Sequence, residues 1–308
     1  MIRYTLKFSL CLFALAIVSG ARGRENSTTS ISWKRCLSQR TEFYSTDEAI
    51  RIADNLLLYQ RDSGGWQKNI DMASILSKQD KAKLRKAKSK NDSTLDNKAT
   101  RTQIRYLAIV YQATKLERFK DAFLKGLDYV LDAQYDNGGW PQRYPNPSGY
   151  SRYITFNDGT MIGALELLGE IAGKKPPYAF VDEVRRRRAE AAVPKGIQCI
   201  LKCQIVVNGK KTAWCAQHDE KTLAPRKARS YELASISGAE SVGIVRFLMR
   251  IDKPGPEIIE AVQAATAWFE KAGLEGIRLV RKQDPSKPGG RDTVVVEDAS
   301  TPPMWARF

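Results

Sequence analysis

The sequence predicts an all-α fold, a closed ring of repeated helix pairs. Three observations carry that prediction. Trp66, Trp140 and Trp214 fall at equal intervals of 74 residues, 66 to 140 and 140 to 214. A stretch with helical periodicity, ending in glutamine, precedes each tryptophan, and a second helical stretch follows it. Such units cannot bury their apolar faces alone and stack on their neighbours. Few units, each long, favour a closed ring over an open solenoid.

Arg3 and Lys7 precede an apolar run from Phe8 to Val18 that is too short to span a bilayer. Ser19-Gly20-Ala21 follows as a small-residue cleavage site, so residues 1–21 are expected to be a secretory signal. The polar stretch 22–44 is expected to be a loose leader. The folded domain is expected over 45–308, with no further membrane segment.

The first helices of the units are expected at Ala49–Gln60, Ala122–Gln134 and Val193–Gln204. Asp62-Ser63-Gly64-Gly65-Trp66-Gln67 follows the first of these. Asp136-Asn137-Gly138-Gly139-Trp140-Pro141-Gln142 follows the second. A degenerate copy, Gly209 to Trp214 with Gln217 beyond it, follows the third. Lys125-Gly126-Leu127 aligns with Lys195-Gly196-Ile197. The second helices are expected at Asn97–Thr114, Gly159–Ala172 and Tyr231–Ile251, and a further helix at Pro256–Lys271. The best strand candidate is Asp292–Glu297. All the Gly-Trp phrases leave equivalent helix ends, so they should gather at one end of the ring. A helix C-cap with a packing indole also explains them.

Composition narrows the chemistry. One histidine, His218, excludes a histidine-rich zinc site and leaves acid-base work mainly to Asp, Glu, Lys, Tyr or Arg. Lys and Arg total 50 against 34 Asp and Glu, a net charge of +16. No nucleic-acid recognition motif accompanies that charge, and for an exported chain an acidic polysaccharide is the better anionic partner. The cationic runs Lys78–Lys90 and Arg185–Arg188 read as solvated surface. Beyond the signal, Cys36, Cys199, Cys203 and Cys215 are taken as structural, with no bridges assigned.

Polar residues mark the start of each second helix. They are Thr94-Leu95-Asp96-Asn97-Lys98-Ala99-Thr100, Phe156-Asn157-Asp158-Gly159-Thr160-Met161 and Ser235-Ile236-Ser237-Gly238-Ala239-Glu240-Ser241. Such residues cap helices. Asp96 and Asp158 also lie at matching points of consecutive units and should face the same end of the ring, where oxygen ligands would suit Ca²⁺. The loop before the third helix carries Arg226, Lys227 and Arg229, then Glu232. It reads either as a solvated basic loop or as a clamp for carboxylates, which an arginine fork grips in pairs.

Taken together, the Asp-x-Gly-Gly-Trp phrases, the Asp96-Asn97 and Asn157-Asp158 motifs, Pro225-x-x-Ala228-Arg229-x-x-Glu232 and Trp305-Ala306-Arg307-Phe308 resemble the family 10 polysaccharide lyases. The resemblance covers about residues 45–308. It implies an (α/α)3 toroid with a substrate groove, and Ca²⁺-dependent β-elimination on polygalacturonate. It implies Arg229 as the base, Asp96 and Asp158 as calcium-associated carboxylates, and Asn97, Arg226, Arg307 and Trp140 as substrate-binding residues. A monomer is expected. The family pattern runs on past Phe308, so an incomplete last unit is expected too. Two other readings stay open at this stage. One is a glycoside hydrolase using Asp96 and Asp158 as its acid and base; the other is a non-catalytic module that binds acidic glycan.

Overall fold

The structure is a computed structural model that describes residues 31–307; the expected signal peptide lies outside the described residues. The eight α-helices are α1 (Asp47–Tyr59), α2 (Lys78–Lys86), α3 (Arg101–Thr114), α4 (Glu117–Asp132), α5 (Thr160–Ala172), α6 (Glu183–Cys203), α7 (Gly238–Leu248) and α8 (Pro256–Ala272). Helices α1, α4, α6 and α8 touch in succession, as do α3, α5 and α7, and α3–α4, α5–α6 and α7–α8 pack as pairs. The fold is the all-α toroid of helix pairs.

The repeated phrase is the girder between units. Trp66, Trp140 and Trp214 have no exposed surface. Each indole Nε1 donates to a carbonyl of the preceding helix, that of Leu56 at 2.9 Å, Val130 at 2.8 Å and Ile200 at 2.8 Å. Burying one indole removes about 150–250 Å² of surface, roughly 4–6 kcal/mol before entropy is counted. The glutamine ending each first helix reaches the next unit. Gln60 Nε2 donates to Gly64 O and Ala122 O, Gln134 Nε2 to Gly138 O and Ala192 O, and Gln204 Nε2 to Thr212 O and Ala261 O.

The repeated glycines make room for these contacts. A Cβ on Gly126 would stand 2.8 Å from the Trp66 ring, and one on Gly196 3.1 Å from the Trp140 ring. Gly64 and Gly138 adopt φ of +93° and +91°. An added Cβ there would meet the Lys125 and Lys195 carbonyl oxygens at 2.3 and 2.1 Å. The C-cap with a packing indole is therefore what these phrases are, and their conformation needs glycine.

Four expectations change. The segment read as a leader forms two 3-10 helices, Trp33–Ser38 and Thr41–Ser45, with Cys36 and Tyr44 buried against the core. The third second-helix starts at Gly238 rather than Tyr231. Arg229 and Glu232 close a turn through Glu232 N to Arg229 O at 2.9 Å, which competes with helix there. The arginine run is not merely solvated: Arg185 holds Asp128 at 2.6 Å and Arg188 holds Asp132 at 2.5 Å, tying α6 to α4. The Asp292–Glu297 strand exists, inside a hairpin the periodicity did not reveal.

Six short strands pair in three antiparallel ribbons. β1 (Ile154–Thr155) pairs with β4 (Gln217–His218), and β2 (Val206–Val207) with β3 (Lys210–Lys211). β5 (Ile277–Gln283) pairs with β6 (Arg291–Glu297). The first ribbon joins the second unit to the loop of the third and brings Gln217 beside the start of α5. The four cysteines from Cys36 to Cys215 are free and buried.

Candidate active site

Each tryptophan carbonyl anchors the chain that returns to its unit's second helix. Trp66 O accepts from Thr94 N at 3.0 Å, Trp140 O from Thr155 N at 3.0 Å and Trp214 O from Ser237 N at 2.8 Å. Thr94, Thr155 and Ser237 are therefore equivalent, and each lies beside a buried girder at one end of the ring.

Beyond that anchor the first two units make the same kink. Leu95 and Phe156 share φ near −97° and −91°. Asn97 and Asp158 follow at φ +49° and +53°, then Lys98 and Gly159 at +64° and +65°. The register differs by one residue from the sequence expectation. Asp158 corresponds to Asn97, and Asp96 to Asn157. The same Asp and Asn pair is written in opposite order in the two units. Asp96 is buried while Asp158 is exposed.

The two carboxylates nonetheless meet. Together with Lys68, Asn97, Gln142, Tyr150, Asn157, Gln217, Arg229 and Glu232 they line one cavity of about 280 Å³. Burial and the closely approaching Asp96 carboxylate hold the Asp158 pKa above the usual carboxylate range. Lys68 Nζ rests on Asp96 Oδ2, and Asp96 Oδ1 accepts from Asn97 N at 2.9 Å. Asn157 Nδ2 donates to Asp158 Oδ2 at 2.8 Å. Thr94 Oγ1 donates to Gln142 O at 2.7 Å and accepts from Asp96 N at 3.1 Å, so the buried carboxylate is built in from behind.

Arg229 lines the same cavity. Its Nε and Nη2 grip Glu232 at 2.7 and 2.5 Å, which pushes the guanidinium pKa up and the Glu232 carboxyl down to about 2. Arg307 lies 3.6 Å from Glu232 and 3.7 Å from Glu240. Arg226 is tied to Asp219 at 2.9 Å and does not line the cavity. Trp140 corrects the expectation of a substrate contact. It has no exposed surface, because its indole fills the space between α4 and α6.

Two contributors, Lys68 and Arg101, were not read from the sequence. Lys68 sits two residues past Trp66, the position that Gln142 occupies after Trp140. Gln142 and Gln217 were visible as the glutamines placed after each tryptophan. Arg101 is the least predictable. Its guanidinium crosses from α3 to donate to Gly159 O at 2.9 Å and Asp158 O at 3.4 Å, bracing the second kink from the first unit.

Among the described residues no group of three or more His, Cys, Asp or Glu side chains forms a complete metal site. What converges is hard-oxygen chemistry, three carboxylates and four side-chain amides, with the Lys68 ammonium already drawn to Asp96.

A toroid of helix pairs with carboxylates and an arginine gathered in one polar cavity suits an enzyme that acts on an acidic polysaccharide. The pectic acid lyase family model matches residues 60–308, and the chain belongs to that family. Two solved structures of similar proteins agree. The family 10 polysaccharide lyase from Cellvibrio cellulosa is 37% identical with a TM-score of 0.70; the match covers 87% of this chain and 79% of that one. An aspartate-to-alanine mutant of that lyase, in complex with trigalacturonic acid, is also 37% identical with a TM-score of 0.71, covering 87% and 80%. A search of curated proteins gave no match.

Proposed function

We propose that this pectate lyase cleaves de-esterified homogalacturonan by β-elimination, with Arg229 as the base and Asp96 and Asp158 as the calcium-holding carboxylates. The observation that supports the proposal is the single cavity that both carboxylates and Arg229 line. The reaction takes the proton from C5 of a galacturonate, forms the C4–C5 double bond and breaks the C4–O4 bond of the same ring, so that the bridging oxygen leaves on C1 of the neighbouring sugar and is protonated there. Negative charge builds on the carboxylate beside C5, and fixed positive charge stabilises it most where water is excluded.

The residues fit a calcium ion. Ca²⁺ takes carboxylate and carbonyl oxygens. Burial and the neighbouring Asp96 carboxylate raise the Asp158 pKa, and a divalent cation between the two carboxylates would relieve that repulsion. Asp96, Asp158 and the amide oxygen of Asn157 would hold the ion, and Asn97 would keep Asp96 in place. When bound, the ion supplies a Lewis acid for the substrate carboxylate.

As found, Arg229 is a charged donor and cannot accept a proton. The base role needs its grip on Glu232 to loosen, and Arg307 offers Glu232 a second cation at 3.6 Å.

No helix among the described residues is long and apolar enough to cross a membrane. Export is part of the proposal, since the polymer lies outside the cell and residues 1–21 read as a secretory signal.

The test follows the unsaturated product by ultraviolet absorbance on polygalacturonate, with and without EDTA. Cleavage should stop with EDTA and return with Ca²⁺. Arg229→Lys keeps the charge but misplaces the nitrogen, so kcat should fall at least about 100-fold with a modest change in KM. Near-normal kcat in Arg229→Lys would remove Arg229 from the base role.

A further inference from the structure

A second cavity, of about 560 Å³, opens beside the first, and Lys68 and Asn97 line both. Its far wall is the segment that the sequence presents as a leader. Trp33 is half-buried there, its ring edge-on to Tyr106 at 5.5 Å. Its backbone N donates to Asp71 Oδ1 at 2.9 Å, and the same oxygen accepts from Ala73 N at 3.1 Å. The wall is thereby fastened to the loop after the first tryptophan phrase.

Lys34 and Lys98 also line this cavity, and both are exposed. Neither forms a salt bridge among the described residues, although the chain forms twenty such pairs there. The one carboxylate in the lining, Asp71, is engaged by backbone N–H groups.

Lys98 belongs to the kink itself. It adopts φ +64°, the left-handed region, immediately after Asn97 at +49°. The equivalent residue of the second unit is Gly159, which adopts +65° without cost. A residue with a Cβ pays for that conformation, so the first unit keeps an ammonium where the second has no side chain at all.

We propose that Trp33, Lys34 and Lys98 form an outer galacturonate subsite that extends the groove beyond the cavity of Asp96, Asp158 and Arg229. The exposed part of the indole offers a flat apolar surface for a sugar ring, which an aromatic with one wet edge provides. The two lysines meet the carboxylates of sugars beyond the scissile bond. This rests on the homogalacturonan reading above.

The test is the affinity gained by lengthening the ligand, measured by calorimetry with tri- and hexagalacturonate on the full chain. In the wild type the hexamer binds more tightly than the trimer. In Lys98→Gly the gain from trimer to hexamer shrinks three- to tenfold, while the melting temperature stays level or rises because the left-handed residue is relaxed. Lys34→Ala, on a different segment, shrinks the gain likewise. Wild-type protein with equal affinity for both lengths overturns the subsite, and so does an undiminished gain in both variants. A hexamer that binds wild-type protein with the expected gain, but yields no unsaturated product, sinks the lyase reading and leaves the subsite standing.

Discussion

The first two units and the third share their girders and differ in everything set on them. All three bury a tryptophan whose Nε1 is tied to the helix before it, and all three reach the next helix with a glutamine. From the same anchor, units one and two turn through a left-handed kink that presents Asp and Asn. Unit three enters its helix directly at Gly238 and instead sends out the long loop that carries Arg226, Arg229 and Glu232. The repeat supplies stability three times over. The departures from it put Asp96 and Asp158 on two units and Arg229 with Glu232 on the other. Function lies where the symmetry fails.

The largest test of this division uses glycine. Gly138 adopts φ +91° with the Lys195 carbonyl only 2.1 Å from where a Cβ would lie. Gly138→Ala must strain the backbone and push α6 away, so a loss of about 4 kcal/mol or failure to fold is expected. Gly209 of the degenerate third copy also has positive φ, at +74°, but nothing stands within 4 Å. Gly209→Ala should cost only the left-handed penalty, about 1–2 kcal/mol. Chemical denaturation of both variants compares them; similar losses would deny that the third copy has shed the girder's constraint.

The second test concerns what pins the divergent loop. His218 is buried, with Nε2 accepting from Cys215 N at 3.1 Å and Nδ1 donating to Leu223 O at 2.8 Å. That pairing requires the neutral ring, and burial holds its pKa down to about 4 against an ordinary 6.5. As pH falls, the unfolded chain takes the proton first. The stability due to His218 is therefore complete above pH 6.5 and is lost progressively down to pH 4, on the order of 3 kcal/mol. Melting temperature against pH should show that slope in the wild type, and His218→Gln should flatten it. An unchanged slope would mean that other groups set the acid limit of the loop.

Much of this was legible in the sequence, for a physical reason. Girders need rare residues at fixed places, so the tryptophans and glycines announce themselves at constant spacing. Asp96, Asp158, Arg229 and Glu232 could be named because their motifs are short and local. The one-residue register shift between the two kinks was hidden, because Asp-Asn and Asn-Asp look like one motif displaced, and only the dihedral angles align them. Trp140 was misjudged since a rare aromatic looks alike in a groove and in a core. Lys68 and Arg101 reach the site from other elements, and nothing in their own segments marks where those side chains end. The packed segment 31–45 is polar enough to read as loose, yet it buries Cys36 and Tyr44 through contacts distant in sequence.

The smallest expected effect tests whether units one and two work as a pair. Arg101 belongs to the first unit's helix, yet its guanidinium braces the carbonyls of Asp158 and Gly159 in the second. It reaches them across Gly163 of α5, where an ideal Cβ would lie 1.2 Å from Arg101 Nη1 and 2.6 Å from its Cδ. Gly163→Ala therefore evicts the guanidinium. Replacing glycine in a helix interior gains up to about 1 kcal/mol of propensity, which offsets most of the lost hydrogen bonds, so the melting temperature should hardly move. The kink carrying Asp158 loses its brace, and a misplaced carboxylate is felt at the reacting centre. We expect about a tenfold fall in kcat/KM on polygalacturonate, partly recovered by raising calcium. Adding Arg101→Lys to Gly163→Ala should restore part of the loss, because the slimmer ammonium can pass the methyl and reach one carbonyl. A fall in melting temperature with full activity would instead make Arg101 a packing residue, and the two units independent holders of their carboxylates.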